Sequence, residues 1–271
     1  MIKLTNKEFD EFVSYIKQYY GINLIQKRNL LEGRLQGILS KKGFTSFSEY
    51  YEYVIKDKTG EAVVELLDKV TTNYTFFMRE KNHFNFYRDT VLPYLERQYF
   101  AEKDLRVWCA GCSSGEEAYT LAMINNDYFS NSPIWDKRIL ATDISNEVLE
   151  AAVKGEYENE QLSMIPDIWK LNYFHKINSY QARVTDKIKN EVIFRRFNLM
   201  NKVFPFKKRF HVIFCRNVMI YFDNETKDQL VKRYYDNLEP GGYFFIGHSE
   251  SLNGCTSSKF KYIMPSVYRK E

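Results

Sequence analysis

The sequence predicts an α/β protein in which a doubly wound sheet follows an all-helical N-terminal region. Residues 106–122, RVWCAGCSSGEEAYTLA, combine an apolar strand, a turn of small residues and a helix, which is the unit that builds such sheets. Residues 1–70 place apolar side chains at three- and four-residue spacing and show no strand pattern. Further apolar strands, each followed by polar residues, are predicted at 138–143, 192–197, 211–215 and 243–247. Polar residues at the carboxyl ends of such strands predict a ligand site at one edge of the sheet.

The composition is that of a folded protein with reduced thiols. With 271 residues, the chain is long enough for one large domain or two smaller ones. Its 39 basic and 35 acidic residues give a formal charge of +4, too small to require nucleic acid or a membrane surface as a partner. We find no secretory pattern and no apolar run near 18 residues. No second ligand pair has metal spacing, so we predict no metal site and expect reduced cysteines in a cytoplasmic protein: Cys109, Cys112, Cys215 and Cys255.

The N-terminal region is expected to form a small bundle of helices. Thr5 and Glu8 form a capping box at the start of the first helix, and Gly21 ends it. The second helix stops near Gly43 and carries a run of basic residues that face only Glu32. This run is either a solvated helix face or a docking surface for an acidic partner helix, and it consists of Lys27, Arg28, Arg34, Lys41 and Lys42.

A dense polar cluster, Thr71, Thr72, Asn73 and Thr75, precedes two phenylalanines and Arg79. One interpretation is that Thr or Asn caps a helix that begins at Phe76, with Arg79 on the surface. The other is that the polar turn covers a bound cofactor and directs Arg79 into the site. Residues 84–100 are then expected to continue as one amphipathic helix into the sheet.

The turn at residues 110–115 restricts the kind of ligand that the sheet can bind. Its spacing matches neither the dinucleotide pattern GxGxxG nor the phosphate-binding pattern GxxxxGK[ST]. Glu116 and Glu117 at the helix start would repel a phosphate but favour a cationic or hydroxyl-bearing ligand. S-adenosylmethionine, a nucleoside with a sulfonium group, satisfies these conditions, and either acid could contact it.

Asp143 ends the second predicted strand, where related sheets bind ribose hydroxyls. Alternatively, Asp143 caps the next helix, although Ser145 is equally placed to do so. Residues 155–190 interrupt the alternation of strands and helices and look like an insertion of short strands or hairpins. The chain is expected to close with a single strand from Phe260 to Tyr268.

Six motifs together resemble one enzyme family: TTNYTFFMRE, RVWCAGCSSGEEAYTLAM, ILATDIS, RRFNL, HVIFCRNVMIYFD and LEPGGYFFIGHSES. They resemble the chemotaxis receptor methyltransferases, which use S-adenosylmethionine to methylate glutamate side chains of chemoreceptors. The resemblance implies a Rossmann-like class I methyltransferase sheet at 101–271, with an inserted antiparallel β-subdomain at about 172–197. It also implies a helical N-terminal domain at 1–70 and a linking segment at 71–100 that contributes to the cofactor site.

Carried onto this sequence, the resemblance implies two catalytic residues, Arg79 to orient the incoming carboxylate and Tyr221 to hydrogen-bond it. The implied cofactor-binding residues are Asn73, Thr75 and Arg79 at the methionine end, Glu117 in the glycine turn, Asp143 at the ribose, Asn198 and Leu199 at the adenine, and Asn217 and Val218 beside the methionine and methyl group. In the family pattern two Phe would immediately precede the arginine, but here Met78 separates Phe77 from Arg79. The sequence therefore leaves open which of the two rings packs on the cofactor.

The resemblance also implies partners. The basic residues of the second helix would dock the acidic helices of the receptor, and the inserted β-subdomain would bind a receptor's C-terminal tether in some members. The enzyme would then be cytoplasmic and recruited to membrane receptors. A glutamate carboxylate, with a pKa of about 4.3, is ionised at neutral pH and needs alignment rather than a general base. His83, His211 and His248 are therefore expected to be structural.

Two other function classes agree less well with the sequence. A nucleic-acid methyltransferase that methylates amino groups would usually carry a Pro-Pro-aromatic motif where this chain has Arg216-Asn217-Val218-Met219. A sequence pI near 8.6 without a long basic stripe also argues against nucleic acid. A non-catalytic adaptor that binds S-adenosylmethionine would be favoured by loss of a site residue. The expected residues are all present: Asn73, Arg79, Asp143, Asn217 and Tyr221.

Overall fold

The structure is a computed structural model that describes residues 2–255 and 259–271. Its N-terminal region folds into helices α1 (Asn6–Tyr20), α2 (Arg28–Lys42), α3 (Phe47–Lys56) and α4 (Glu61–Val70). The predicted capping box is present, because Thr5 accepts from the N–H of Glu8 and the Glu8 carboxylate accepts from the N–H of Thr5. The bundle has its own core, in which Phe12, Leu35 and Leu66 are fully buried. Each such side chain contributes about 1.5–3 kcal/mol by burial.

The segment after α4 differs from the predicted helix. Residues 71–80 are irregular, and α5 (Lys81–Phe86) begins only after Met78 and Glu80, whose φ angles are 60° and 58°. A helix cannot run through left-handed residues, so of the two interpretations the one with a helix beginning at Phe76 was wrong. The predicted helix at 84–100 is present, since α5, a π-helical turn (Tyr87–Val91) and α6 (Leu92–Gln98) follow one another without a break.

The main sheet contains β1 (Val107–Ala110), β2 (Ile139–Asp143), β6 (Val192–Arg196), β7 (Phe210–Cys215), β8 (Leu238–Ile246), β9 (Lys261–Met264) and β10 (Val267–Arg269). Its strand order is β6-β2-β1-β7-β8-β10-β9. The first five strands in this order are parallel to one another. The long helices between strands are α7 (Glu116–Tyr128), α8 (Asn146–Lys154) and α11 (Asn224–Asp236). The chain runs from β1 to β2 on one side and returns to β7 on the other, which makes β1 the switch point where such sheets bind ligands.

The sheet is buried on both faces, which confirms the predicted Rossmann-like fold. Val107 and Cys109 belong to one buried cluster, whereas Trp108 and Ala110 belong to another. Because successive strand residues point to opposite faces, β1 contributes to two hydrophobic layers. Trp108 also satisfies its indole N–H by donating to Thr142 Oγ1 at 2.9 Å.

A small antiparallel sheet is inserted after α8, but its boundaries differ from the predicted 172–197. It consists of β3 (Glu156–Glu158), β4 (Phe174–Lys176) and β5 (Gln181–Val184), in the order β3-β5-β4. Short helices α9 (Asp167–Tyr173) and α10 (Asp186–Lys189) flank it. Strand β6 pairs with β2 in the main sheet instead, in parallel register. The sequence had given residues 192–197 both assignments, as a strand of the main sheet and as the end of the insertion, and the structure confirms the first.

The end of the chain is a hairpin rather than the single strand predicted for 260–268. Ser266, with a φ of 62°, lies in the turn between β9 and β10, and β10 pairs antiparallel with β8. All four cysteines are free thiols. Among the described residues, the helices are too short or too polar to cross a bilayer.

Candidate active site

One cavity lies over the carboxyl ends of β1, β2 and β7, and all ten residues that the resemblance implied line it. They are Asn73, Thr75, Arg79, Glu117, Asp143, Asn198, Leu199, Asn217, Val218 and Tyr221. Residues from the helical region complete the wall, which sequence reasoning missed: Tyr20, Ile22, Asn23, Leu24, Lys27 and Leu30. The cavity is therefore closed by both parts of the chain.

The glycine turn after β1 forms the floor of the cavity. Gly111 has a φ of 86°, and a Cβ built there would lie 2.3 Å from Val218 Cγ2. No other residue fits, because both the backbone conformation and the approach of Val218 exclude a side chain. The N–H groups of Gly111 and Cys112 donate to the carbonyl oxygen of Thr142 at 2.7 and 2.9 Å, which fixes the turn against the end of β2.

Asp143 lies at the edge of the cavity between β1 and β2. Its carboxylate accepts hydrogen bonds from the backbone N–H groups of Ser113, Ile144 and Ser145 at 2.8, 2.8 and 3.1 Å. Burial raises the pKa of Asp143, and these N–H donors oppose that effect. Ser145 is the N-cap of α8, since its side chain accepts from the N–H of Val148. Ser145, not Asp143, therefore caps α8.

The two acids at the start of α7 have different surroundings. Glu116 is only 1% exposed, accepts a hydrogen bond from Ser114 Oγ at 2.7 Å, and has its pKa raised by burial. Glu117 lines the cavity and accepts from the Cys109 thiol at 3.2 Å. Glu117 is thus the acid of this pair with access to a ligand.

Arg216, which the sequence placed in a motif but gave no role, connects three parts of the site. Its guanidinium lies 2.5 Å from the Glu117 carboxylate and 3.0 Å from that of Glu80, and it donates to the carbonyl oxygen of Arg79. The Arg216 side chain is 1% exposed and lies over the Phe84 ring, with 5.1 Å from its central carbon to the ring centroid. The signal in the sequence was a charged residue directly after the buried strand β7.

The segment after β7 presents Asn217 and Tyr221 to the cavity. Asn217 has a φ of 59°, and its side-chain amide donates to Glu80 at 3.4 Å. The Tyr221 hydroxyl donates to the carbonyl oxygen of Thr72 at 3.1 Å, which ties this segment to the linker. The N–H of Asn23 donates to the carbonyl oxygen of Tyr221 at 2.8 Å, so the helical region holds the same segment.

The linker places Arg79 and one aromatic ring in the cavity. Arg79 donates to the carbonyl oxygen of Tyr74 at 2.9 Å, and its guanidinium carbon lies 5.8 Å from the centroid of the Phe76 ring. Phe76 lines the cavity, whereas Phe77 is fully buried. The structure thus distinguishes the two rings that the sequence left undecided.

Asn198 links the far wall to the helical region. Its side-chain amide donates to the carbonyl oxygen of Tyr19 at 2.9 Å, while its oxygen accepts from the N–H of Met200 at 2.9 Å. Leu199 and the partly buried Phe197 provide apolar surface beside it.

The five basic residues of α2 do not form one free surface. Arg28 donates to Asn6 at 3.0 Å and to the carbonyl oxygen of Leu4, and Lys42 pairs with Glu65 at 3.1 Å. Arg34 donates to two backbone carbonyl oxygens, of Lys69 at 3.1 Å and of Thr71 at 2.6 Å. The expectation that the basic run faces only Glu32 was therefore wrong, because the end of α4 and the linker pack along α2.

Within the described part of the chain, Lys27 and Lys41 are the two members of that basic run that have exposed side chains and are not engaged in the contacts given above. Lys27 lines the cavity, whereas Lys41 lies in a second, more open groove between α2, α4 and α8. Arg34 is exposed too, but its guanidinium is engaged as described above.

Three side chains near the cavity, Glu80, His83 and His248, have possible metal-binding atoms within 4.8 Å of one another. Glu80 already pairs with Arg216, and it accepts from the N–H of His248 at 3.1 Å. The Glu80 carboxylate of this cluster is therefore already engaged by a guanidinium and by a backbone N–H.

Two buried histidines make stability depend on pH. Burial, with the nearby Arg216 and Arg106 charges, lowers the pKa of His83 to about 4 and that of His211 to about 3. An unfolded histidine has a pKa of about 6.5, so below that pH the unfolded state binds more protons and stability falls. We expect each histidine to cost about 2 kcal/mol between pH 7 and pH 5. Urea unfolding at both pH values checks this, and His211→Asn should lose less stability than the wild type; equal losses would contradict it.

The lining fits S-adenosylmethionine on chemical grounds. Asp143 and Glu117 offer carboxylates to ribose hydroxyls and to a cationic amino-acid part. Ile144, Leu199 and Phe197 offer apolar surface to an adenine ring. The absence of a side chain at Gly111 lets a ligand approach the backbone of the turn.

Comparisons with known proteins agree with this geometry. The family described as "CheR methyltransferase, SAM binding domain" matches residues 73–268, and "CheR methyltransferase, all-alpha domain" matches residues 7–71. The chain is 39% identical over 273 residues to the "Chemotaxis protein methyltransferase" of Borreliella burgdorferi, which covers 99% of this chain and 96% of that protein. It is 35% identical to the "Probable chemotaxis protein methyltransferase" of Rhizobium etli, covering 90% of this chain and 91% of that protein. This chain therefore belongs to the CheR family of methyltransferases, which bind S-adenosylmethionine.

Proposed function

We propose that this protein methylates glutamate side-chain carboxylates on chemoreceptors, forming glutamate methyl esters for sensory adaptation. The observation that carries the proposal is the cavity itself, which brings Arg79 and Tyr221 together with the full set of expected cofactor residues. The names of the relatives, chemotaxis protein methyltransferases, support a chemoreceptor substrate. The proposed reaction class is that of a protein-glutamate O-methyltransferase.

Bound S-adenosylmethionine supplies an electrophilic methyl group, and the reaction leaves S-adenosylhomocysteine. The glutamate nucleophile is already ionised at neutral pH, so the protein need not remove a proton. This agrees with the absence of histidine from the cavity-lining residues that the structure describes. The protein's contribution is alignment and exclusion of water, and alignment alone can lower a barrier by about 7–11 kcal/mol.

Arg79 and Tyr221 are proposed to orient the incoming carboxylate. Burial raises the pKa of Tyr221, so its hydroxyl keeps its proton and can donate a hydrogen bond. Arg79 is proposed to position the substrate rather than neutralise it, because a tight ion pair would stabilise the ground state and slow transfer. Its contacts with Tyr74 and Phe76 hold the guanidinium at the cavity wall.

The residues proposed to hold the cofactor lie around the same cavity. Asp143 is assigned to the ribose hydroxyls, Asn198 and Leu199 to the adenine, and Glu117 to the glycine-turn side. Asn73, Thr75, Arg79, Asn217 and Val218 are assigned to the methionine end. The small sheet β3-β5-β4 is proposed as the site where a receptor's C-terminal tether would bind.

Lys41 offers the clearest test of receptor docking, because Arg34 holds the linker and Lys27 lines the cavity. For Lys41→Glu we expect the KM for receptor membranes to rise about threefold at low salt, with little change at high salt. The measurement is methylation of receptor-containing membranes at two ionic strengths. Lys202→Glu, an exposed lysine in the loop after β6, is the matched charge reversal and should leave KM unchanged. A rise that is equal in both variants would show only a general charge effect.

The reaction class is tested by transferring labelled methyl from S-adenosylmethionine to receptor-containing membranes and then treating them with mild base. Release of the label as methanol is expected, because carboxyl esters hydrolyse readily. Label that survives base would indicate N-methylation or another stable product and would overturn the proposal. Label recovered on nucleic acid would support the alternative substrate class. Tight binding of S-adenosylhomocysteine without methyl transfer to any receptor would support the hypothesis of a non-catalytic adaptor.

A further inference from the structure

Two turns at the carboxyl ends of the adjacent strands β7 and β8 are packed tightly together. The first turn contains Asn217, which lines the cavity, and the second contains Gly247 and Glu250. The second turn is closed by a hydrogen bond from the N–H of Glu250 to the carbonyl oxygen of Gly247 at 2.9 Å. A Cβ built on Gly247 would lie 2.4 Å from the side-chain nitrogen of Asn217 and 2.8 Å from its backbone nitrogen. The two turns therefore touch directly, with no space for a methyl group between them.

Glu250 joins these turns through backbone hydrogen bonds. Its carboxylate accepts from the N–H of Asn217 at 2.9 Å, of Ile220 at 3.2 Å and of Gly247 at 2.6 Å. The residue is only 7% exposed, and its oxygens face backbone N–H groups. Burial raises the pKa of Glu250, and these backbone N–H donors oppose that effect. One side chain thus fixes both turns.

We propose that Glu250 is a positioning residue for the methyl-transfer site, holding Asn217 and the segment up to Tyr221 in the conformation that binds the cofactor. Asn217 has a φ of 59°, in the left-handed region, which asparagine tolerates better than other residues with a Cβ but which is still less favourable than the right-handed region. The hydrogen bond to its N–H therefore helps to hold this conformation. Releasing the N–H of Asn217 removes the contact that opposes this cost. The segment then relaxes, and the wall formed by Asn217, Val218 and Tyr221 moves away from the ligand.

This inference rests on the proposed assignment of Asn217 and Val218 to the cofactor. It does not rest on the substrate, so the two can fail separately. The probe is S-adenosylhomocysteine, whose binding to the full chain needs no receptor. If methyl esters never form but the binding result holds, the substrate proposal fails and Glu250 keeps its role.

The test compares Glu250→Gln with Glu8→Gln. Glu8 is a matched control because it is 6% exposed and also accepts several hydrogen bonds, from Thr5 and Ser48, but lies in the helical bundle away from the cavity. We expect Glu250→Gln to weaken S-adenosylhomocysteine binding about tenfold by calorimetry, because the amide cannot accept all three N–H bonds. Glu8→Gln should lower Tm but leave the affinity within about twofold.

Two further measurements keep the result interpretable if Glu250→Gln folds poorly. Gly247→Ala disturbs Asn217 by a different route, because the new Cβ would clash with the Asn217 side chain and displace it. This variant should also weaken binding of S-adenosylhomocysteine about tenfold. Hydrogen exchange of the peptide covering residues 216–222 should become faster in both variants and stay unchanged in Glu8→Gln. Wild-type affinity in Glu250→Gln, or equal weakening in Glu250→Gln and Glu8→Gln, would overturn the proposal.

Discussion

Gly111→Ala is expected to reduce the affinity for S-adenosylhomocysteine by at least about a hundredfold while the chain still folds. The new Cβ would lie 2.3 Å from Val218 Cγ2, so either the turn or the segment after β7 must shift. Both form walls of the same cavity, and a shift in either changes its shape. Isothermal titration calorimetry with the purified variant is the measurement, with circular dichroism to confirm folding.

A second substitution separates the steric conflict from backbone strain. The Cβ at position 111 would lie 3.5 Å from Val218 Cβ, which is an ordinary contact, so Val218→Ala removes the clash. The strain of a left-handed alanine, about 1–2 kcal/mol, would remain. The double variant should therefore bind more tightly than Gly111→Ala alone, which is a non-additive result expected for residues in contact.

Gly43→Ala is the matched control for this prediction. Gly43 has a φ of 76°, close to that of Gly111, but a Cβ there would meet no atom within 4 Å. It ends α2, far from the cavity lining. This variant should lose stability to a similar strain and keep its affinity; a comparable loss of binding would show that general destabilisation, not the approach of Val218, accounts for the loss in Gly111→Ala.

The sequence was sufficient for features that depend on neighbouring residues. The turn from Gly111 to Gly115 and the cap formed by Thr5 and Glu8 follow from local backbone chemistry, and the structure contains both. Five parallel strands also followed from short apolar runs. The assignment of the α8 cap to Ser145 rather than to Asp143 followed from the same local reasoning.

Features that depend on distant contacts could not be predicted in this way. Asn198 bonds to Tyr19 across 179 positions of sequence, so nothing local shows that the helical region forms a wall of the cavity. The pairing of β6 with β2 likewise depends on which edge of the sheet is free. Arg34 looks like a surface charge in the sequence, but in the structure it donates hydrogen bonds to the end of α4 and to the linker.

Arg216→Met is expected to lower the free energy of unfolding at neutral pH by about 3–5 kcal/mol, because it leaves two largely buried carboxylates without their cation. The side chains of Glu80 and Glu117 are only 12% and 14% exposed, and both pair with Arg216. Methionine keeps much of the packing on Phe84, so the expected loss comes mainly from charge. Urea unfolding at constant ionic strength measures it.

The pH dependence of this loss identifies its cause. Burial alone would raise the pKa of Glu80, but the Arg216 charge and the N–H of His248 outweigh it and hold the pKa below its usual value. In the wild type, Glu80 therefore contributes stability above its unfolded pKa that is lost as pH falls through the lower folded pKa. Without Arg216, burial dominates and the folded pKa rises above the unfolded one, so protonation stabilises the variant. The stability gap between the two proteins should narrow below about pH 5.

Arg106→Met provides the matched control, because Arg106 also pairs with two carboxylates, Asp104 at 2.6 Å and Glu239 at 2.9 Å, at the opposite end of the sheet. It should not change the affinity for S-adenosylhomocysteine, whereas Arg216→Met should weaken it by releasing Glu117 and the carbonyl oxygen of Arg79. Adding Glu80→Gln and Glu117→Gln to Arg216→Met removes the unpaired charges and should restore much of the stability. A loss in Arg216→Met below about 1 kcal/mol would mean that water solvates both carboxylates and that Arg216 is not what holds them together.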